Sequence, residues 1–144
     1  MTWSVKAAQL TEREGTKLWL TVLFTNAQGT RQALSSALKL AQGLEASIRI
    51  VVTRVVPYPL ALDNPPVEMT FTEKQVVELA KSMGVEATVH IYDCRDREAT
   101  LVQILPPGSV VIVGSRKKWW PIHERMLARK LRKAGHDVIV TGAE

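Results

Sequence analysis

The chain has 144 residues, 46% of them hydrophobic and 23% charged, with a net charge of +5. A chain of that length suits one domain and buries roughly two-thirds of its unfolded surface, so it needs neither disulfide nor metal staples. The single cysteine, Cys94, excludes an intrachain disulfide and fits a reducing, cytoplasmic setting, and no apolar run reaches the ~18 residues of a membrane-spanning helix.

The opening stretch MTWSVKAAQLTEREG has no basic start followed by an apolar core, so no secretory leader is expected. Residues 1–16 mix polar and apolar side chains without a period and read as an arm or a short extra strand; residues 17–144 read as the domain. Leu18 to Phe24 is a short run of bulky apolar residues and predicts a strand buried on both faces. Thr25 to Gly29 reads as a turn, and Thr30 as the cap of a helix reaching about Gln42, with Leu34, Ala37, Leu38, Ala41 and Leu44 on a 3.6-residue period.

Ser47 to Val56 predicts the second strand. Four of the seven prolines follow between Pro57 and Pro66, which predicts a long surface loop with the length of a lid. Thr70 and Glu73 fit a capping box for a helix that carries Val76, Leu79, Ala80 and Met83 on one face and ends at Gly84. Val85, Ala87, Val89 and Ile91 alternate with Glu86, Thr88, His90 and Tyr92, the pattern of a half-exposed strand at a sheet edge.

Arg97 to Leu105 predicts a short helix broken by Pro106-Pro107-Gly108, and Val110 to Val113 the next buried strand. Pro121 suits the first turn of a last helix and Gly135 its end. His136 to Thr141 is the final strand. Strands and helices alternate throughout, which predicts an α/β fold with a mostly parallel, five-stranded open sheet and helices on both faces.

Charge is unevenly placed. Between Gly114 and Gly135 there are eight cations and one acid, Glu124, so this segment carries +7 and the rest of the chain −2. The stretch GSRKKWWPI, directly after an apolar strand, either holds an anion or fills a place where one can sit. Arg116, Lys117 and Lys118 are candidate phosphate contacts. Trp119 and Trp120 can stack on a base, although large aromatics mostly serve burial, and a plug over the open end of the sheet is the plainer reading. In the last helix Arg125, Arg129, Arg132 and Lys133 share one face, opposite Leu127, Leu131 and Ala134.

No catalytic or metal-binding constellation is visible. His90, His123 and His136 lack metal-ligand spacing and read as structural. Cys94 has no histidine or second cysteine near it in sequence and reads as an inert thiol. Asp93 and Asp96 read as loop caps, and Ser115 has no evident base.

VVIVGSR (residues 110–116), the opening unit LTVLFTNAQGTRQALSSALKLAQGLEASIRIVV and the closing HDVIV together resemble the universal stress protein family over about residues 17–142. The resemblance implies strand order 3-2-1-4-5, with a crevice where the order reverses, between the first and fourth strands. The ATP-binding branch of that family carries G-x2-G-x9-G-[ST] after the fourth strand, where glycines let backbone N–H groups approach phosphates at the start of the next helix. Here the positions fall on Gly114, Lys117, Leu127 and Ala128, and the adenine-contacting aspartate of the first strand falls on Thr25. One element is kept and four are replaced, so ATP affinity is expected to be poor. RKKWW is also similar, more weakly, to the stress-protein-like domain of potassium-sensing histidine kinases.

The resemblance thus implies a cytoplasmic regulatory or stress-response domain rather than an enzyme. It binds ATP, another nucleotide or another anion weakly or in an altered mode, or acts through an acidic protein partner. The candidate ligand residues at the strand ends are Thr25, Asn26, Thr53, Gly114 and Ser115, with Arg116, Lys117, Lys118, Trp119 and Trp120 beyond them. A homodimer through Val138, Ile139 and Val140 of the last strand is implied as well, and the apolar edge fits it. Two alternatives stand beside this: a nucleotide hydrolase using the same crevice, and a basic module meeting nucleic acid or a membrane surface, of which nucleic acid is the less expected.

Overall fold

The computed structural model describes residues 13–14, 17–25, 27–56, 69–106, 108–115 and 122–142. The elements run β1 (Arg13–Glu14), β2 (Lys17–Leu23), α1 (Ala27–Leu44), β3 (Ser47–Val55), α2 (Met69–Ser82), β4 (Ala87–Cys94), α3 (Arg97–Ile104), β5 (Val110–Ser115), α4 (Ile122–Lys133) and β6 (Asp137–Gly142). Five strands form one parallel sheet in the order β4-β3-β2-β5-β6, and β1 pairs antiparallel with the start of β2. Counting the parallel strands along the chain, this is the expected 3-2-1-4-5. Parallel neighbours need crossovers, and the four helices supply them.

β2 is apolar on both faces because both are covered. Leu20 and Val22 join Ile50, Val89 and Ile112 under α1 and α2, which contribute Ala33, Leu34, Val76 and Ala80. On the other face Leu23, Val51, Val111 and Val113 pack with Leu101 of α3 and with Leu127 and Leu131 of α4. One buried charge interrupts this second face. Arg49, only 3% exposed, donates from Nε to the Thr21 hydroxyl at 2.8 Å and lies 5.7 Å from the centre of the Trp19 ring.

Three details differ from the sequence reading. First, α1 starts at Ala27, so Gly29 and Thr30 lie in its first turn instead of before it, and both are buried. Thr30 still serves the helix start, since its hydroxyl accepts the N–H of Thr25 at 3.2 Å. Second, α2 starts at Met69, which puts Thr70 inside the helix and removes its role as cap. Third, β4 is an edge strand as expected but is not half-exposed. His90 and Tyr92 are buried, and Tyr92 belongs to the same core cluster as Leu101, Ile104 and Leu105, so the positions that alternation assigned to solvent lie inside.

Helix ends follow the left-handed rule. Gly84 (φ 68°) ends α2, with Val85 N–H donating to the Ala80 carbonyl at 3.0 Å, and Gly135 (φ 98°) ends α4, with His136 N–H donating to Leu131 at 3.1 Å. In α1 the left-handed position is Glu45 (φ 51°), not the nearby Gly43. Asp96 caps α3 by accepting the Ala99 N–H at 3.1 Å. His136 is buried and accepts the Ser109 N–H at 3.2 Å through Nδ1, the structural role expected of it.

Candidate functional site

In an open parallel sheet, ligands bind beyond the strand C-termini where the strand order reverses. Here that place is the gap between β2 and β5, and beside it the backbones of α1 and β5 are in direct contact. Gly29 in the first turn of α1 lies directly against Gly114 of β5. A methyl group added to Gly29 would stand 2.6 Å from the Gly114 carbonyl oxygen, and one added to Gly114 would overlap the Gly29 carbonyl. Only two glycines allow so close an approach of helix to strand.

Thr25 fastens the same junction. Its hydroxyl donates to the Gly114 carbonyl at 3.0 Å while its N–H is held by Thr30. Two predicted site residues, Thr25 and Gly114, are therefore brought together, and their hydrogen-bonding groups face each other. Ser115 follows as the last residue of β5. Asn26, Arg116, Lys117, Lys118, Trp119 and Trp120 lie outside the described residues.

Thr53 belongs to a neighbouring cavity of about 410 Å³ at the ends of β2 and β3, which Thr25 also lines. Its walls include Phe24, Val55, Phe71 and Arg97. Phe71 and Val55 are 65% and 54% exposed, an apolar rim on a cavity that three threonines, Thr25, Thr53 and Thr72, also line. In its wall, Arg54 forms a two-point ion pair with Asp93, at 2.6 Å (Nε to Oδ1) and 3.0 Å (Nη2 to Oδ2), and donates to the Thr72 hydroxyl at 2.8 Å. This clamp ties β3, β4 and α2 together at the cavity wall. Where the sequence suggests a loop cap, Asp93 is the half-buried partner of an arginine 39 residues away. Nothing local in the sequence announces that pair.

The ATP pattern does not fit these residues. The pattern needs its last glycine and hydroxyl where the helix begins. α4 begins at Ile122, so Leu127 and Ala128 fall in mid-helix, 2% and 3% exposed, packed in the core beneath the sheet. Thr25, in the place of the aspartate, is committed to Gly114.

Among the described residues no group of histidine, cysteine and acidic side chains can hold a metal ion. Cys94 is buried, and desolvation pushes its thiol above the ordinary range, with a Thr100 hydrogen bond opposing the shift. Burial likewise raises Tyr92, against the opposing pull of Arg49. Both groups hold their protons longer when folded than when unfolded. The unfolded chain therefore ionises first, and stability falls as pH rises above the usual thiol range and further above the phenol range. Replacing Cys94 with Ala should flatten the first part of that decline. An equally steep decline in the variant, followed by urea melts across alkaline pH, would count against this assignment.

No protein-family model matches the chain, and no curated protein matches its sequence. Solved structures do match. A universal stress protein from Archaeoglobus fulgidus superposes with a TM-score of 0.57 at 16% identity, over 88% of this chain and 95% of that one. A protein from the universal stress protein family from Burkholderia pseudomallei gives 0.54 at 18% identity, over 85% and 93%. The fold is therefore that of the universal stress proteins, across nearly their whole length. At this identity the likeness is one of fold.

Proposed function

We propose that this chain is a stress-response regulatory domain of the universal stress protein type, one that has given up tight ATP binding. The observation that carries the reading is the Thr25 hydroxyl held by the Gly114 carbonyl where the aspartate is needed, together with a helix α4 that starts too early for the phosphate pattern. Any nucleotide or other small anion binds weakly or in an altered mode, with Thr53 as the hydroxyl contact and Arg97 as a cation of the cavity wall. Signalling then runs through protein contacts. Titration calorimetry with ATP and magnesium tests this. Affinity weaker than about 1 μM, roughly −8 kcal/mol, is expected, and a tighter complex defeats the reading.

The contact surface in this proposal is β6. It forms one edge of the sheet, with Val138 and Ile139 half-buried and Val140 40% exposed. Two copies pairing this edge about a two-fold axis give a closed homodimer. Replacing Ile139 with Pro removes a backbone donor and should shift sedimentation from dimer toward monomer. A parent that sediments as a monomer at micromolar concentration refutes the dimer, as does a folded variant that remains fully dimeric.

A further inference from the structure

We propose that the outer face of α4, with the exposed side of α3 beside it, docks this protein on an anionic lipid bilayer surface. The inference rests on α4 and α3 alone, so the outcome of an ATP titration leaves it untouched.

α4 buries Leu127, Ala128 and Leu131 against the sheet. The opposite face presents Arg125, Met126, Arg129 and Lys133, all exposed, with Met126 at 53%. Two other cations of the helix serve the fold. Lys130 pairs with Glu98 of α3 at 3.2 Å, and Arg132 donates to the Val138 carbonyl at 3.1 Å. Arg125, Arg129 and Lys133 make no ion pair with any described residue. They stand at i, i+4 and i+8, the spacing at which like charges on a helix repel. Arg125 also lies one turn from the positive end of the helix dipole, where a cation is disfavoured. Among the described residues nothing neutralises this stripe, and an external counter-charge would.

Shape and chemistry select the partner. α3 packs alongside α4 through Lys130 and Glu98, so the face is two helices wide. A DNA major groove of about 12 Å admits one helix, and α4 has α3 on its flank. Neither helix carries a phenylalanine, tyrosine or tryptophan on which unpaired bases could stack. What α4 does offer is cations around an exposed apolar side chain, Met126, and α3 beside it exposes Val102 at 40%. Headgroup phosphates take the cations and the acyl boundary takes the apolar groups. α4 itself carries five cations, Arg125, Arg129, Lys130, Arg132 and Lys133, against one acid, Glu124, a net +4 that favours approach to a negative surface.

The test is co-sedimentation with vesicles of phosphatidylcholine alone and of phosphatidylcholine mixed with phosphatidylglycerol. Binding is expected only to the mixed vesicles, and it should be lost at high salt. The triple variant Arg125→Gln, Arg129→Gln, Lys133→Gln should bind them about 100-fold more weakly, each cation near the surface being worth about a factor of five. If the triple variant does not fold by circular dichroism, Arg129→Gln alone should show about a fivefold loss. Failure of the parent to bind mixed vesicles at low salt overturns the proposal, as does a folded variant that binds like the parent. Tighter binding of a DNA duplex than of the vesicles at the same salt, lost in the same variant, also overturns it and moves the face to nucleic acid.

Discussion

Replacing Gly114 with alanine should destabilise the protein by about 3 kcal/mol, at the upper end of ordinary overpacking, and lower the melting temperature by roughly 10 °C. The added methyl overlaps the Gly29 carbonyl and stands 3.1 Å from the Ala33 nitrogen. Both obstacles are backbone, so no side chain can turn aside to make room. α1 has to lift from β5, which also loosens the Thr25 bond to the Gly114 carbonyl. Gly29→Ala meets the same wall from the other side, 2.6 Å from Gly114 and 2.8 Å from the Thr25 hydroxyl. Gly43→Ala is the control. Its new methyl meets nothing within 4 Å. Inside a helix it should stabilise by about 0.5–1 kcal/mol. Thermal melts of the three variants decide the matter, and a Gly114→Ala midpoint within a degree or two of the parent means that the helix is not wedged against the strand.

The second large effect is expected at the Arg54–Asp93 clamp. The two side chains are 12% and 9% exposed, so their charges are largely removed from water. Asp93→Ala leaves the guanidinium without its carboxylate, and breaking a buried pair from one side costs about 3 kcal/mol. Removing both charges is a different matter, because the desolvation cost disappears along with the attraction. The double variant Arg54→Met, Asp93→Leu should therefore fall within about 1 kcal/mol of the parent. Urea unfolding of the single and double variants separates these cases. If Asp93→Ala loses less than about 1 kcal/mol, the clamp is peripheral to stability.

The sheet order was legible because each parallel strand of the interior is a continuous apolar run and each helix keeps a clean 3.6-residue period. Local pattern failed where a distant element decides burial. Tyr92 looks solvent-facing in sequence and is buried in the cluster that contains Leu101 and Ile104 of a helix later in the chain. The start of α1 was missed because Gly29 reads locally as a turn residue. Its use is a backbone contact with Gly114, which no local pattern encodes. The site was legible in the same uneven way: Thr25 and Gly114 were named and do meet, whereas Arg54, Phe71 and Arg97 gave no signal, being ordinary strand and helix residues until the fold gathers them around one cavity.

The placement of β2 at the middle of the sheet sets the order of events during synthesis. Its partner on one side, β3, leaves the ribosome soon after it, but its partner on the other side is β5, and the Thr25–Gly114 bond spans 89 residues. At ordinary elongation rates that gap lasts on the order of ten seconds. Throughout it the nascent chain can assemble β2, β3 and β4 while the other edge of β2, with Leu20, Val22 and Leu23, stays open. A strand of that composition is a template for a neighbouring nascent chain on the same message. The arrival of Val110 to Val113 ends the exposure, so a pause in translation just before Val110 should lower soluble yield far more than a pause just after Ser115.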